Sequence, residues 1–229
     1  MLLSVLVVSV ALASAGTALA VDVSGSLRIA SDFAGTTPPI PEEEARKLWY
    51  WNEWNGFIEP GDRGFDAARD LAVVLVGDGP MADEQPGFRI ANGGLWPTTL
   101  VVRSGTAMAI QNTDPCAHQL FAEGHPQLNP TPIAPGLSRE LTPTETGAWP
   151  LRDELYTHVT GHLHIIDNLV ARATVESDGD YRFANVEPGV YTLVIYRGSE
   201  RIHEQADIEV TERELTIPAI PLRAGASAQ

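Results

Sequence analysis

The chain has 229 residues, with 15 Lys plus Arg set against 30 Asp plus Glu, for a formal charge of -15. So acidic a surface repels nucleic acid and anionic membranes, and no nucleic-acid partner is expected. The one cysteine, Cys116, excludes an intramolecular disulfide, so the fold has to rest on its apolar core.

Residues 2–20 are apolar or small and end in Ala18-Leu19-Ala20. A hydrophobic stretch closed by an A-x-A pattern has the form of a secretory signal peptide, with cleavage expected after Ala20 and export to the periplasm or beyond. The alternative, a membrane anchor, would need roughly 20 strongly apolar residues, and the small residues after position 12 weaken it. No later run is long and apolar enough to span a bilayer.

Residues 23–29 (VSGSLRI) alternate like a strand. Prolines 38, 39 and 41 then break regular structure, and residues 42–54, carrying Trp49, Trp51 and Trp54, read as either a short helix or an irregular insert. Residues 71–76 (LAVVLV) are a continuous apolar run of strand length and read as a buried strand. A loop is expected from there to about Trp96. Short strands follow at 100–103, 107–111, 119–121, 138–141 and 161–166, the last with Leu163 and Ile165 on one face and His162 and His164 on the other. From Ala171 the rhythm is regular. Strands are expected at 171–176, 181–183, 190–196, 208–210 and 215–222, with turns at 177–180, 186–189 and 197–200. The tail 223–229 is small and polar and expected to be disordered. No helical periodicity of useful length appears. The pattern indicates an all-β protein of two antiparallel β-sandwiches.

Two family resemblances lie on these residues. Residues 97–105 (PTTLVVRSG), 111–118 (QNTDPCAH), 135–139 (PGLSR), Gly147 and 159–161 (VTG) resemble the cupredoxins, in particular exported plastocyanin-like proteins. Residues 175–183 (VESDGDYRF) and 185–193 (NVEPGVYTL) are similar to the D-G-x-F…P-G-x-Y-x-L pattern of carboxypeptidase-regulatory, or transthyretin-like, sandwiches. The resemblances imply a cupredoxin-like Greek key over 21–167, including the N-terminal extension and the Trp-rich insert, followed by a small carboxypeptidase-regulatory-like sandwich over 168–222. The second type of module usually serves as a stalk or contact module.

A blue-copper site holds its metal with two histidines, a cysteine thiolate and a weak axial Met. The resemblance aligns His118 with the first histidine. Where it implies C-x2-H-x2-M before the last strand, this chain has Asp153, Tyr156 and Val159. The copper ligand set is therefore largely absent, and Cys116, two residues before His118, does not replace the thiolate. A remodelled metal site would draw on His118, His158 and Asp153, since imidazole and carboxylate suit Cu²⁺ or Zn²⁺. His162 and His164, an i, i+2 pair, and His125 in the loop after the first ligand segment are the other imidazoles near these segments.

No nucleophile-elbow, metalloprotease, phosphate-loop or dinucleotide fingerprint occurs. Asp178 and Asp180 sit in a hairpin turn, where Asp suits the backbone geometry. These features together suggest a non-enzymatic binding or scaffold module of cupredoxin descent with a degenerate copper site, no cofactor and an unidentified envelope protein as partner. The alternative is a copper- or zinc-binding protein for electron transfer or metal handling. A hydrolase with the small sandwich as accessory is weaker, because no catalytic signature supports it.

Overall fold

The computed structural model describes residues 20–34, 64–81, 85–211 and 213–224. The signal segment apart from Ala20, the insert with Trp49, Trp51 and Trp54, and residues 225–229 lie outside the described residues. Among the described residues the chain is all-β. The helices among the described residues are two single turns, α1 (Ser31–Ala34) and α2 (Ala67–Asp70). No helix is long and apolar enough to cross a membrane among these residues.

Four sheets form two groups. The first group holds β1 (Val21–Ile29), β2 (Leu71–Val76), β11 (Leu169–Arg172), β12 (Thr174–Val175), β13 (Asp180–Val186), β14 (Gly189–Arg197), β15 (Glu200–Val210), β16 (Leu215–Thr216) and β17 (Ile220–Leu222). One of its sheets runs β12-β13-β1-β16, with β17 also on β1, and the other runs β11-β2-β14-β15. The second group holds β3 (Gly87–Ala91), β4 (Gly94–Trp96), β5 (Thr99–Arg103), β6 (Met108–Asn112), β7 (Leu120–Phe121), β8 (Ser138–Leu141), β9 (Gly147–Asp153) and β10 (Thr160–Ile166). Its sheets are β4-β3-β6-β8 and β5-β10-β9-β7. Most ladders are antiparallel, while β5–β10, β3–β6 and β1 with β16 and β17 run parallel. Parallel neighbours need long connections, and these come from chain that crosses between sheets.

The expected division at residue 167 does not follow this pairing. β1 bonds to β13, and β2 lies between β11 and β14, so both early strands belong with the C-terminal strands. Strands β3 to β10 pair only among themselves, between β2 and β11 in sequence. Their two ends meet where the Gly77 amide donates to the Asn168 carbonyl at 2.9 Å. Local alternation cannot reveal this, because a strand's pattern shows which face is buried and not which partner buries it.

Side-chain alternation explains how the groups stack. Leu71, Val73 and Leu75 of β2 join Leu193 and Ile195 of β14 and Phe183 of β13 in one core. Leu100 and Val102 of β5, with Leu163 and Ile165 of β10, join Phe88, Ile110 and Leu151 in a second. The opposite faces of the same strands meet each other: Val74 and Val194 pack with Val101 and Leu169, flanked by Ile166 and Tyr196. β2 and β5 are thus covered on both faces, which is why LAVVLV and LVV read as unbroken apolar runs. Each buried valine or leucine contributes about 1.5–3 kcal/mol relative to exposure.

The segment expected to be a loop up to Trp96 contains the β3–β4 hairpin. Its turn is Asn92-Gly93, both at positive φ (53° and 64°), the left-handed pair that a two-residue hairpin requires.

Candidate functional site

Position 118 lies between β6 and β7, held by an isolated bridge to Ile133. Two polar side chains fix the segment before it, and a third fixes the loop that follows β7. Asn112, fully buried at the end of β6, donates its Nδ2 to the carbonyls of Cys116 (2.7 Å) and Ile133 (2.8 Å). Its Oδ1 accepts from the Asp114 amide at 2.9 Å. Asp114 reaches the β3–β4 turn, accepting from the amides of Asn92 (2.6 Å) and Gly93 (2.9 Å). Arg139 of β8 donates to the carbonyls of Gln127 (2.5 Å) and Asn129 (2.8 Å), tying down the loop after β7.

These staples present His118, which has no exposed surface, to two carboxylates. Its Nδ1 bonds Asp153 Oδ2 at 2.8 Å, and its Nε2 lies 3.3 Å from Asp114 Oδ2 and 3.5 Å from Cys116 Sγ. Burial alone would push the imidazole down. Asp114 and Asp153, with Cys116 beside them, outweigh it and carry the ring up to about 11, so His118 is an imidazolium at neutral pH. Burial likewise pushes the Asp114 carboxyl up, but His118 and the two turn amides win and hold it below the usual carboxylate range.

Asp153 ends β9 and is fully used. Oδ2 also accepts from the Gln119 amide (3.1 Å), while Oδ1 accepts from the amides of Leu155 (2.8 Å) and Tyr156 (3.0 Å). It therefore shapes the β9–β10 connection as well as pairing His118. Tyr156 lays its ring against His118 at 5.1 Å, and Val159 is buried in the second core.

The structure thus brings His118 and Asp153 together, and the His158 ring packs against Tyr156 at 6.2 Å. His125 is also held elsewhere: its Nδ1 accepts from the Gln127 amide at 3.1 Å and its ring meets Trp149 edge-on at 4.7 Å. His164 faces the other group of strands, its Nε2 donating to the Gly198 carbonyl at 2.7 Å. Among the described residues, no group of three or more His, Cys, Asp or Glu side chains is arranged to hold a metal ion. The positions that the resemblance aligns with a thiolate, a second histidine and an axial Met hold Asp153, Tyr156 and Val159, and Asp153 bonds the His118 ring directly.

Asp114 and Cys116 are the members of the cluster that sequence analysis missed as a site. The available signal was D-x-C-x-H, three polar side chains at alternate positions and so on one side of an extended segment.

No family model matches the chain, and no curated protein matches it. Solved structures do. A reduced amicyanin variant is 17% identical over 41% of this chain and 97% of its own, with a TM-score of 0.33. A purple cupredoxin from Nitrosopumilus maritimus is 17% identical over 35% of this chain and 99% of its own, at 0.32. A copper-containing nitrite reductase from Thermus scotoductus is 16% identical over 44% of this chain and 26% of its own, at 0.33. At such scores the site has to be judged on its own geometry.

Proposed function

We propose that this is an exported, non-enzymatic binding or scaffold module of cupredoxin descent, in which a buried ion-pair network stands where copper would be held. The observation that carries the proposal is His118, with one ring nitrogen on Asp153 and the other beside Asp114. A metal at Nδ1 would have to displace the Asp153 bond, and Asp153 would have to abandon backbone amides that set the β9–β10 connection. The strands from β3 to β10 would form the cupredoxin-like unit, and the remainder a carboxypeptidase-regulatory-like sandwich that carries it. An envelope protein is the proposed partner.

The test is titration of the mature chain with Cu²⁺ and Zn²⁺, following the visible spectrum and the heat of binding. Weak, non-stoichiometric binding without a thiolate charge-transfer band is expected. An intense band, or tight one-to-one binding lost in His118→Ala, would refute the proposal. Export is tested by the N-terminus of the secreted chain, expected at Val21.

One observation favours a second function, copper or zinc binding. Cys116 Sγ and Asp114 Oδ2 lie beside His118 Nε2, while Asp153 holds Nδ1 as carboxylates orient metal-bound histidines. Here the ring would lose its proton, and His118 Nε2, Cys116 and Asp114 would have to shift from their present arrangement, which is not set to hold a metal, to close on the ion; His118→Ala and Cys116→Ala would each abolish stoichiometric binding.

A further inference from the structure

The face of β10 that carries His162 and His164 is turned to the junction of the two strand groups, away from the His118 cluster. His164 is almost fully buried, its Nε2 on the Gly198 carbonyl at 2.7 Å and its ring against Tyr196 at 4.4 Å. Half-buried His162 lies beside Gly198, where an added Cβ would come within 3.5 Å of its ring. Gly198 is the tip of the β14–β15 turn, at φ 57°, and its amide donates to Thr99 Oγ1 at 2.9 Å. One tight turn of one group is therefore gripped by three side chains of the other.

We propose that His162 and His164 make this seam a pH-sensitive clasp, closed while both rings are neutral and loosened when acid protonates them.

The surroundings offer the second charge no compensation. On the ladders beside them, His162 and His164 pair with Thr99, Val101, Pro150 and Ala148, all uncharged. Arg172 reaches across the seam to the Val101 carbonyl and Arg103 bonds the Gly79 carbonyl, while Arg197 at the start of the turn directs its guanidinium to the Phe33 carbonyl. The carboxylates are engaged: Asp70 is bound by Arg69 (2.7 Å) and Thr98, and Glu204 by Arg201 (2.7 Å). Glu200 is exposed at the turn. Burial holds both imidazoles below their usual value, and His164 disfavours a charge on His162 further; at His164 the Gly198 carbonyl opposes burial without overcoming it. The closed seam therefore binds fewer protons than an open one. Its stability is complete above the ordinary histidine value of about 6.5 and declines as pH falls from there toward the lowered values.

The experiment is hydrogen exchange on the mature chain in chelator-treated buffer at about pH 7.5 and about pH 5, the range in which histidine changes charge, corrected for intrinsic rates. The Gly198 amide is expected to lose at least about tenfold in protection on acidification, in proportion to the open population, while the amides of Leu163 and Ile195 keep theirs. In a His162→Asn, His164→Gln double variant, whose Gln can still donate to Gly198, the loss is expected to vanish. Unchanged protection in the parent protein, or the same loss in the variant, overturns the proposal. Should the variant fail to fold, NMR titration of the parent decides: the clasp requires both rings to titrate below the ordinary value together with the Gly198 amide, and ordinary titration sinks it.

Discussion

Replacing Asp153 by Asn tests the His118 network with almost no change in shape. Asp153 accepts four hydrogen bonds, two on each oxygen. Asn has one acceptor oxygen and one NH₂ group. If its oxygen keeps the amides of Leu155 and Tyr156, the NH₂ faces His118 and the Gln119 amide. The imidazole can adapt by losing its proton and accepting at Nδ1, but the Gln119 N–H is stranded. If the amide is flipped, both connection amides are stranded, so the first orientation is preferred. The charge-assisted bond to His118 is worth about 1.5–3 kcal/mol and the stranded amide about 1–3, giving an expected loss of about 3–5 kcal/mol, the usual cost of removing one partner from a buried pair. Urea unfolding measures the loss. NMR titration of His118 should show its value falling from about 11, since one of its two carboxylates is gone. A loss under about 1 kcal/mol with an unchanged His118 titration would show that the pairing does not hold the site together.

Four further outcomes are expected. The raised value of His118 means that its stabilisation is complete below the unfolded value of about 6.5 and is lost as pH rises through about 11, so unfolding free energy should fall between neutral and alkaline pH in the parent and stay flatter in His118→Gln. Asn112→Ala removes the donor to two carbonyls and the acceptor of the Asp114 amide; a loss of about 3 kcal/mol or more in urea unfolding is expected. Thr99→Val removes the hydroxyl that donates to the Asp70 carbonyl and accepts from Gly198, so about 1–3 kcal/mol should be lost and exchange at Gly198 should rise at every pH. Tyr181→Phe should be neutral or stabilising by up to about 1 kcal/mol in thermal unfolding, because the buried Tyr181 hydroxyl has no hydrogen-bond partner among the described residues.

Much of the local structure was legible. The apolar run at 71–76, the alternation at 161–166 and the turns at 177–180, 186–189 and 197–200 coincide with β2, with β10 to within a residue, and with the breaks between β12, β13, β14 and β15. The Asn92-Gly93 hairpin was available as a turn signal flanked by Ile90 and Leu95, but the Gly-rich acidic stretch around it masked the short strands. Of the candidate site, His118 with Asp153 could be reached from motif resemblance. Asp114 could not, since its role depends on a turn more than twenty residues upstream in sequence folding back onto it.

Alternation and turn chemistry act over a few residues, so the sequence by itself determined that the described part of this chain is nearly all β, where most of its strands lie and where most turns fall. The tertiary structure alone decided which strands share a sheet. It returned β1 and β2 to the C-terminal strands, turned His164 toward the seam, and closed two carboxylates around His118. Those outcomes depend on pairings between distant segments, and a buried valine or histidine carries the same local pattern whichever neighbour covers it.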